Sequence, residues 1–549
     1  PMPIPRIVVC VPNFSEGRDR AVIDAIAAAI RATPGCTLLD VDPGQSTNRT
    51  VYTFVGDPEA VVEGALAAAR QAHARIDMRR HRGEHPRMGA LDVCPFVPVS
   101  GVTMDDCVAC ALDFGRRAAA ELGIPVYLYE AASQKAHRKT LKQIRAGEYE
   151  GLAERIAHPD WRPDFGPAAH VPAWGATVTG ARGFLIAYNV NILGTKEQAH
   201  RIALNVREQG RGPSEPGRLK AVKGIGWWVE EYGMAQVSMN LDDYTVTPPH
   251  VAYEACAEEA RALQVGIAGS ELVGLIPLRA LLMAAEHYIA KEGLFIVDER
   301  QKIRLAVERL GLSSITPFDP GKRIIEFMVG EKREEPLASL SVRAFIEALG
   351  SRSPAPGGGS AAACMAAMGA GLGAMMGWMT YGKRKFEDRD EAMRKLIPPL
   401  HQAMADLIPM IDADTNAFND YMAALGLPSD TPERVETRRA AMQEGLRKAV
   451  EVPLRTMRIA DGCWDAMRGM AEHGNPASRS DLEVGARALE TGIWGAYRNV
   501  VINLPQIEDE AFRSAKRSEA ESLAKRAREQ SAAVLTKLGT PVSPSGPGT

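Results

Sequence analysis

The strongest constraint on the fold is a change of hydrophobic rhythm near residue 330. Before it, short apolar runs alternate with stretches of helical spacing; beyond it, strand-like runs nearly vanish. Short apolar runs bounded by turn residues specify strands, whereas a period of about 3.6 specifies helices. Residues 7–11, 36–41, 50–55, 93–99 and 125–129 read as strands, and 19–32, 59–76 and 104–122 as helices. This alternation predicts a layered α/β or α+β unit. No helix separates 36–41 from 50–55, so these two are expected to pair antiparallel, which argues against a purely parallel sheet.

The same reasoning places strands at 184–190, 234–241 and 270–276, with helices at 196–208, 250–263 and 279–292. The expected fold is therefore two α+β subdomains of mixed sheet plus helices, 1–182 and 183–328, followed by an all-α helical-bundle domain, 338–539. The charged run Val329-Gly-Glu-Lys-Arg-Glu-Glu-Pro336 marks a linker, 329–337. Residues 540–549 are rich in Pro, Gly and Ser and are expected to be disordered.

Net charge is -3, so no global field draws the chain to nucleic acid or to an anionic membrane. Any anionic ligand must be held by local basic groups. The 8 cysteines follow no disulfide spacing, which fits reduced thiols and a cytoplasmic location. Cys107 and Cys110 read as small buried thiols on one helix. The chain start lacks the apolar core of a signal peptide. Residues 361–379 carry no charge and place Gly369, Gly373 and Gly377 four apart. Alanine and glycine dominate the stretch, so a central bundle helix with close backbone approach is expected rather than a membrane span.

Several segments concentrate polar chemistry. Arg79-Arg-His-Arg-Gly-Glu-His-Pro-Arg-Met-Gly89 carries two histidines four apart, but Gly83 and Pro86 oppose the continuous helix that a metal pair would use. The segment reads as a loop, either a solvated basic surface or a seat for an anionic substrate beside a neutral imidazole. Asn13 and Ser15, after the first strand, either cap the next helix or contact a ligand at the sheet edge. Asp40, Asp42 and Pro43-Gly44 form either a turn or a pair of carboxylates that orients a histidine or binds an amine. Arg49 is a natural carboxylate clamp.

The loop Asp164-Phe-Gly-Pro-Ala-Ala-His-Val-Pro-Ala-Trp-Gly175 either is a rigid connector or stacks Phe165 and Trp174 on a flat heterocycle. In the helical part, Gly357, Gly358, Gly359 and Ser360 feed a helix N-terminus, a turn that cradles anions, although Ser360 is equally an ordinary N-cap. Asp412 and Asp414 flank a helix face formed by Ile408, Ile411, Thr415, Phe418 and Met422, each about 80° from its centre. Helix geometry by itself favours solvated edges for both; the alternative is an active-site acid of raised pKa.

Together these motifs resemble one family. Val11-Pro-Asn-Phe-Ser-Glu-Gly17, Ser46-Thr-Asn-Arg-Thr-Val51, Gly83-Glu-His-Pro-Arg-Met-Gly89 and Leu193-Gly-Thr-Lys-Glu-Gln-Ala-His-Arg201 resemble formimidoyltransferases. Ala355-Pro-Gly-Gly-Gly-Ser360, Met379-Thr-Tyr-Gly382 and Asp412-Ala-Asp414 resemble the cyclodeaminases fused to them. The resemblance implies transfer of the formimidoyl group from N-formimidoyl-L-glutamate to N5 of tetrahydrofolate, then cyclisation to 5,10-methenyl-tetrahydrofolate with release of ammonia. It implies His85 as catalytic acid and base with Asp42 to orient it, and Asp414 as acid/base of the cyclisation. It makes Gly166, Pro167, Ala168, Ala169, His170, Val171, Pro172, Ala173, Trp174 and Gly175 a folate-binding loop. Asn13 and Arg49 join the substrate contacts. Folate is expected as a polyglutamylated co-substrate, with no metal, in a homo-octamer.

Overall fold

The computed structural model describes residues 6–45, 47–83, 86–328 and 335–539. The catalytic candidate His85, most of the expected linker (329–334) and the tail 540–549 lie outside the described residues. Contacts divide the chain into two compact units, Pro1–Glu331 and Lys332–Thr549.

The first unit opens with β1 (Ile7–Cys10), β2 (Asn13–Phe14), α1 (Arg20–Ala32), β3 (Thr37–Gly44), β4 (Arg49–Gly56) and α2 (Pro58–Arg75). It continues with β5 (Leu91–Ser100), α3 (Met104–Leu122), β6 (Val126–Glu130), α4 (Leu141–Arg145), α5 (Leu152–Ala157) and β7 (Thr177–Ala181). β1 and β2 share one position in the sheet, because each pairs antiparallel with both β4 and β5. The break between them falls at Pro12, which has no N–H to give a ladder. β3 pairs antiparallel with β4, as the missing helix required, while β7 lies parallel to both β5 and β6. The sheet is mixed.

Alternation along β4 decides which face is which. Tyr52 and Phe54 are fully buried with Val8, Cys10, Phe14 and Phe96 against Ile23 and Ile26 of α1, Leu66 of α2 and Phe114 of α3. Each such side chain contributes about 1.5–3 kcal/mol by leaving water. Residues one step out of phase face the other way. There Ile7, Val9, Val55 and Val97 pack with Ile325 and Phe184, and the polar residues lie further along the strands. Asp19, not Asn13 or Ser15, caps α1, accepting from Ala21 and Val22 N–H groups. The capping alternative for those two residues is thereby corrected: Asn13 is a strand residue, and Ser15 Oγ donates to the Gly89 carbonyl at 2.7 Å.

The second sheet comprises β8 (Ile186–Leu193), β9 (Val222–Val229), β10 (Met234–Leu241) and β11 (Gly266–Val273), interleaved with α6 (Lys196–Val206) and α7 (Pro249–Ala262). Its order is β11-β8-β10-β9, antiparallel throughout. α8 (Leu278–Glu292), α9 (Glu299–Leu310) and the short α10 (Pro320–Arg323) and α11 (Ile325–Met328) complete the unit.

The second unit is helical among its described residues: α12 (Val342–Leu349), α13 (Gly358–Trp378), α14 (Asp390–Leu407), α15 (Met410–Leu425), α16 (Pro432–Asp461), α17 (Trp464–His473), α18 (Arg479–Asn503) and α19 (Glu510–Lys537). α13 is long and apolar enough to cross a membrane, yet it is largely buried within the unit. A Cβ at Gly369 would meet the Gly485 carbonyl oxygen of α18 at 2.7 Å, so the two backbones touch.

Candidate functional site

Cross-strand register assembles the first candidate site. Asp42 is paired with Val51, Val51 with Asn13, and Asn13 with Val93, so these side chains stand abreast on the face away from α1–α3. Arg49 lies two residues from Val51 on β4 and shares that face. Three sequence candidates, Asn13, Asp42 and Arg49, are thus neighbours. Asp42-Pro43-Gly44 is the end of edge strand β3, where proline costs no ladder bond; the turn reading applies only to the residues after it.

Asn13 is 4% exposed. Its Nδ2 donates to the Val11 carbonyl at 2.8 Å, and its Oδ1 is buried without a partner. A carbonyl only accepts, so the amide orientation is fixed and the oxygen is the free end. Asp92 is the extra residue where β2 pairs with β5, between the partners Val93 and Leu91. It is almost fully buried, accepts from the Met88 N–H at 2.8 Å and pairs with Arg145 of α4. Burial lowers the Arg49 pKa; Asp92 supports its charge, Arg145 opposes it and Asp42 supports it.

The loop before β5 is fastened on both sides of residues 84–85. His81 Nε2 lies 2.8 Å from the Asn48 carbonyl, and Arg87 Nε donates to His81 Nδ1 at 3.3 Å. The carbonyl requires a proton on Nε2 and the guanidinium requires a bare Nδ1, so His81 is a neutral imidazole with both nitrogens occupied. Burial lowers its pKa, the hydrogen bond to Asn48 raises it, and Arg87 lowers it. Of the two histidines in the loop, His81 is structural. Arg87 also binds Glu150 at 2.7 Å and Glu148 at 3.2 Å.

The loop 166–175 hangs between two glycines that nothing can replace. Gly166 has φ 83° and Gly175 φ 80°. A Cβ would run into the Ile124 carbonyl at the first and the Met88 carbonyl at the second. Trp174 is 1% exposed, and its indole N–H donates to Thr177 Oγ1 at 3.0 Å. The expected stacking of Trp174 on a ligand is therefore corrected: its ring belongs to the core. Phe165 is likewise packed against that core. The rings near the loop surface are His170 and Tyr149, 5.5 Å apart, with the Tyr149 hydroxyl donating to the Pro172 carbonyl at 2.6 Å.

In the helical unit, Gly357 occupies the N-cap of α13 and provides no side-chain cap. Ser360 is not the cap: it is fully buried inside the helix, its Oγ donating to the Ile411 carbonyl at 2.6 Å and lying 3.1 Å from Thr415 Oγ1. These bonds dock the start of α13 on α15. A Cβ at residue 359 would overlap the Asp414 carboxylate, so glycine leaves the space that this group occupies. Burial raises the Asp414 pKa from 3.8 to about 6, with hydrogen bonds from Ser360 pulling the other way. Asp412 differs: it is 3% exposed and accepts from the backbone N–H groups of Leu337 at 2.8 Å and Ala338 at 2.9 Å. The solvated-edge expectation for Asp412 is corrected to a buried anchor.

Sequence reasoning passed over Asp92, Arg145 and Tyr149, and took Asn48 only as part of the Ser46–Val51 motif. Only Asp92 left a signal there, a charge inside the apolar run of β5.

Comparison with known proteins gives the same order of parts. Family profiles match for the formiminotransferase domain, N-terminal subdomain, over residues 7–182, the formiminotransferase domain over 187–330, and formiminotransferase-cyclodeaminase over 341–522. The chain is 63% identical over 535 residues to the formimidoyltransferase-cyclodeaminase of Dictyostelium discoideum, covering 97% of this chain and 99% of that protein. It is 57% identical over 534 residues to that of Rattus norvegicus, with the same coverage of 97% and 99%. The glutamate formimidoyltransferase of Streptococcus pyogenes serotype M1 is 42% identical over 288 residues, 52% of this chain and 94% of that protein. The chain belongs to the formimidoyltransferase-cyclodeaminase family.

Proposed function

We propose that the chain carries out two consecutive reactions on tetrahydrofolate. In the first, N5 attacks the formimidoyl carbon of N-formimidoyl-L-glutamate, the bond from that carbon to the glutamate nitrogen breaks, and glutamate leaves. In the second, N10 attacks the same carbon, the bond to the amidine nitrogen breaks, and ammonia leaves with 5,10-methenyl-tetrahydrofolate as product. The observation that carries this reading is the match to relatives named for both activities along essentially their whole length.

Each half needs one group that takes a proton and returns it. In the transferase half, His85 removes the N5 proton and protonates the departing glutamate nitrogen, oriented by Asp42, with Arg49 on a substrate carboxylate. In the helical half, Asp414 carries the proton from N10 to the leaving ammonia. A carboxyl group with a pKa of about 6 suits this, since both protonation states are populated near neutrality. Gly357, Gly358, Gly359 and Ser360 form the wall behind it. The loop 166–175 contacts the folate through its backbone and small side chains. The reading extends to a polyglutamylated co-substrate, a cytoplasmic location and a homo-octamer; a light-scattering mass near one subunit refutes the octamer.

The test mixes the purified protein with tetrahydrofolate and N-formimidoyl-glutamate and follows methenyl-folate absorbance and ammonia. His85→Ala should yield neither product, and Asp414→Ala should stall at formimidoyl-folate. A second reading of the helical half has a specific motive: part of the chain is 34% identical over 183 residues to a methenyltetrahydrofolate cyclohydrolase of Methylorubrum extorquens. Hydrolysis of methenyl-folate without ammonia release from formimidoyl-folate would favour it.

A further inference from the structure

Among the polar atoms buried without a partner in the described residues, three lie at or beside the strands that carry Asp42 and Asp92: Asn13 Oδ1, Arg49 Nε and Arg145 Nε. Buried donors and acceptors are nearly always paired, so each of these is an exception that needs an account. Two of the three belong to guanidiniums, and the third is the free end of an amide that is itself 4% exposed. The Arg49 side chain makes no hydrogen bond or ion pair with the described residues. Arg145 has one carboxylate partner, Asp92, whose side chain is 1% exposed. The pairings Asn13↔Val51 and Asn13↔Val93 put Asn13 between the strand of Arg49 and the strand of Asp92. Neighbouring strands are about 4.8 Å apart. Two like charges are thus held a few strand widths from each other with an unsatisfied acceptor between them.

Asp92 and Asp42 offset part of the repulsion between the two guanidiniums, yet the Arg49 guanidinium bonds to neither and Arg145 Nε stays unpaired, which leaves donors for a ligand. A monoanion needs one guanidinium; this arrangement provides two, with geometry suited to carboxylates. We propose that Arg49 and Arg145 together seat the two carboxylates of a dicarboxylate amidine donor, and that Asn13 Oδ1 accepts the N–H of its substituted nitrogen. The inference rests on the transferase reading above and deepens it, by adding Arg145 as a binding residue and the second carboxylate as the feature selected. Asp92 is a positioning residue, holding Arg145 in the seat.

The experiment measures formimidoyl transfer to tetrahydrofolate in the intact protein, with Arg145→Gln and the double variant Arg145→Met with Asp92→Asn, which removes both buried charges together. The KM for N-formimidoyl-glutamate should rise about ten- to hundredfold, the loss expected for one charged hydrogen-bonded contact. The KM for tetrahydrofolate and the cyclodeaminase rate on 5-formimidoyl-tetrahydrofolate should stay unchanged, the second also reporting that the helical unit is intact. In the wild type, glutarate should compete with the donor far better than butyrate does, a difference lost in both variants. An unchanged donor KM in either folded variant overturns the proposal. So does equal inhibition of the wild type by glutarate and butyrate, which needs no variant to fold. A wild type that transfers no formimidoyl group would instead refute the transferase reading itself.

Discussion

Replacing Asp414 by asparagine should stabilise the helical unit at neutral and alkaline pH while abolishing the cyclodeaminase step. Burial raises the Asp414 pKa from 3.8 to about 6, so the folded state holds this proton more tightly than the unfolded chain does. One pKa unit corresponds to about 1.4 kcal/mol, and the ionised carboxylate therefore costs up to about 3 kcal/mol of folding stability. Residual hydration of the half-buried group makes that an upper bound. The acid favours the fold below about pH 4, where it is protonated in both states. The stability is lost as pH rises, roughly half of it by about pH 5 and all of it above about pH 6. Asparagine has nearly the same shape and no charge, so the variant escapes the loss. For a unit of this size, 3 kcal/mol corresponds to about 6–12 °C in melting temperature. Calorimetry of both proteins at about pH 8 and about pH 4.5 should show a gap in favour of the variant that closes in acid. A gap independent of pH, or a less stable variant at about pH 8, would show that burial is not what Asp414 carries, and the account of its raised pKa would fall.

Gly359→Ala sets two effects against each other: alanine is the better helix former, by less than the interior value at this second residue of α13, but its Cβ falls on the Asp414 carboxylate. The clash should win, with cyclodeaminase rate down about tenfold or more and formimidoyl transfer unaffected; an unimpaired variant would refute the contact. Trp174→Phe should cost about 1–3 kcal/mol in denaturant unfolding, through a lost hydrogen bond and lost volume, yet leave the KM for tetrahydrofolate within about twofold. A large rise in that KM would restore the stacking role. His81→Gln should weaken the fold around the loop but leave the shape of the transferase pH–rate profile intact, since a locked neutral imidazole does not titrate with the reaction; loss of a limb of that profile would make His81 the base. Asp412→Ala strips the partner from two backbone N–H groups, and hydrogen exchange at Leu337 and Ala338 should accelerate.

The elements that local rhythm determines were legible. β10 buries Ala235, Val237, Met239 and Leu241 at every second position, with Gln236 buried between, and α3 carries a capping box at Thr103 and ends at Gly123 in the left-handed region. β9 was hidden because Gly224 and Gly226 interrupt it and its adjacent tryptophans, which point to opposite faces, are both exposed. β2 is two residues long and exists only because β4 and β5 hold it from both sides. The site divides along the same line. Asn13, Arg49 and Asp42 could be singled out because strand ends and loops collect chemistry, but their adjacency is a matter of register between distant strands. Asp412 and Asp414 look alike on a helical wheel. What separates them is a contact made 75 residues away, where Leu337 gives its N–H to one and not the other. Trp174 misled for the converse reason: a loop rich in proline and glycine implies exposure, whereas its indole is closed off by the core it completes.

Asn48 uses three of its four polar groups to hold other segments, its backbone N–H going to the nearby Gln45 carbonyl. Its Oδ1 accepts from the Gly17 N–H at 3.0 Å, its Nδ2 donates to the Arg82 carbonyl at 3.0 Å, and its own carbonyl meets His81 Nε2 at 2.8 Å. It does so from φ 47°, a conformation that asparagine tolerates better than most residues. The loop after β2, the turn before β4 and the loop before β5 are consequently tied together at one residue. Loss of the Asn48 side chain would therefore free the Gly17 N–H and the Arg82 carbonyl together, loosening two segments through one residue.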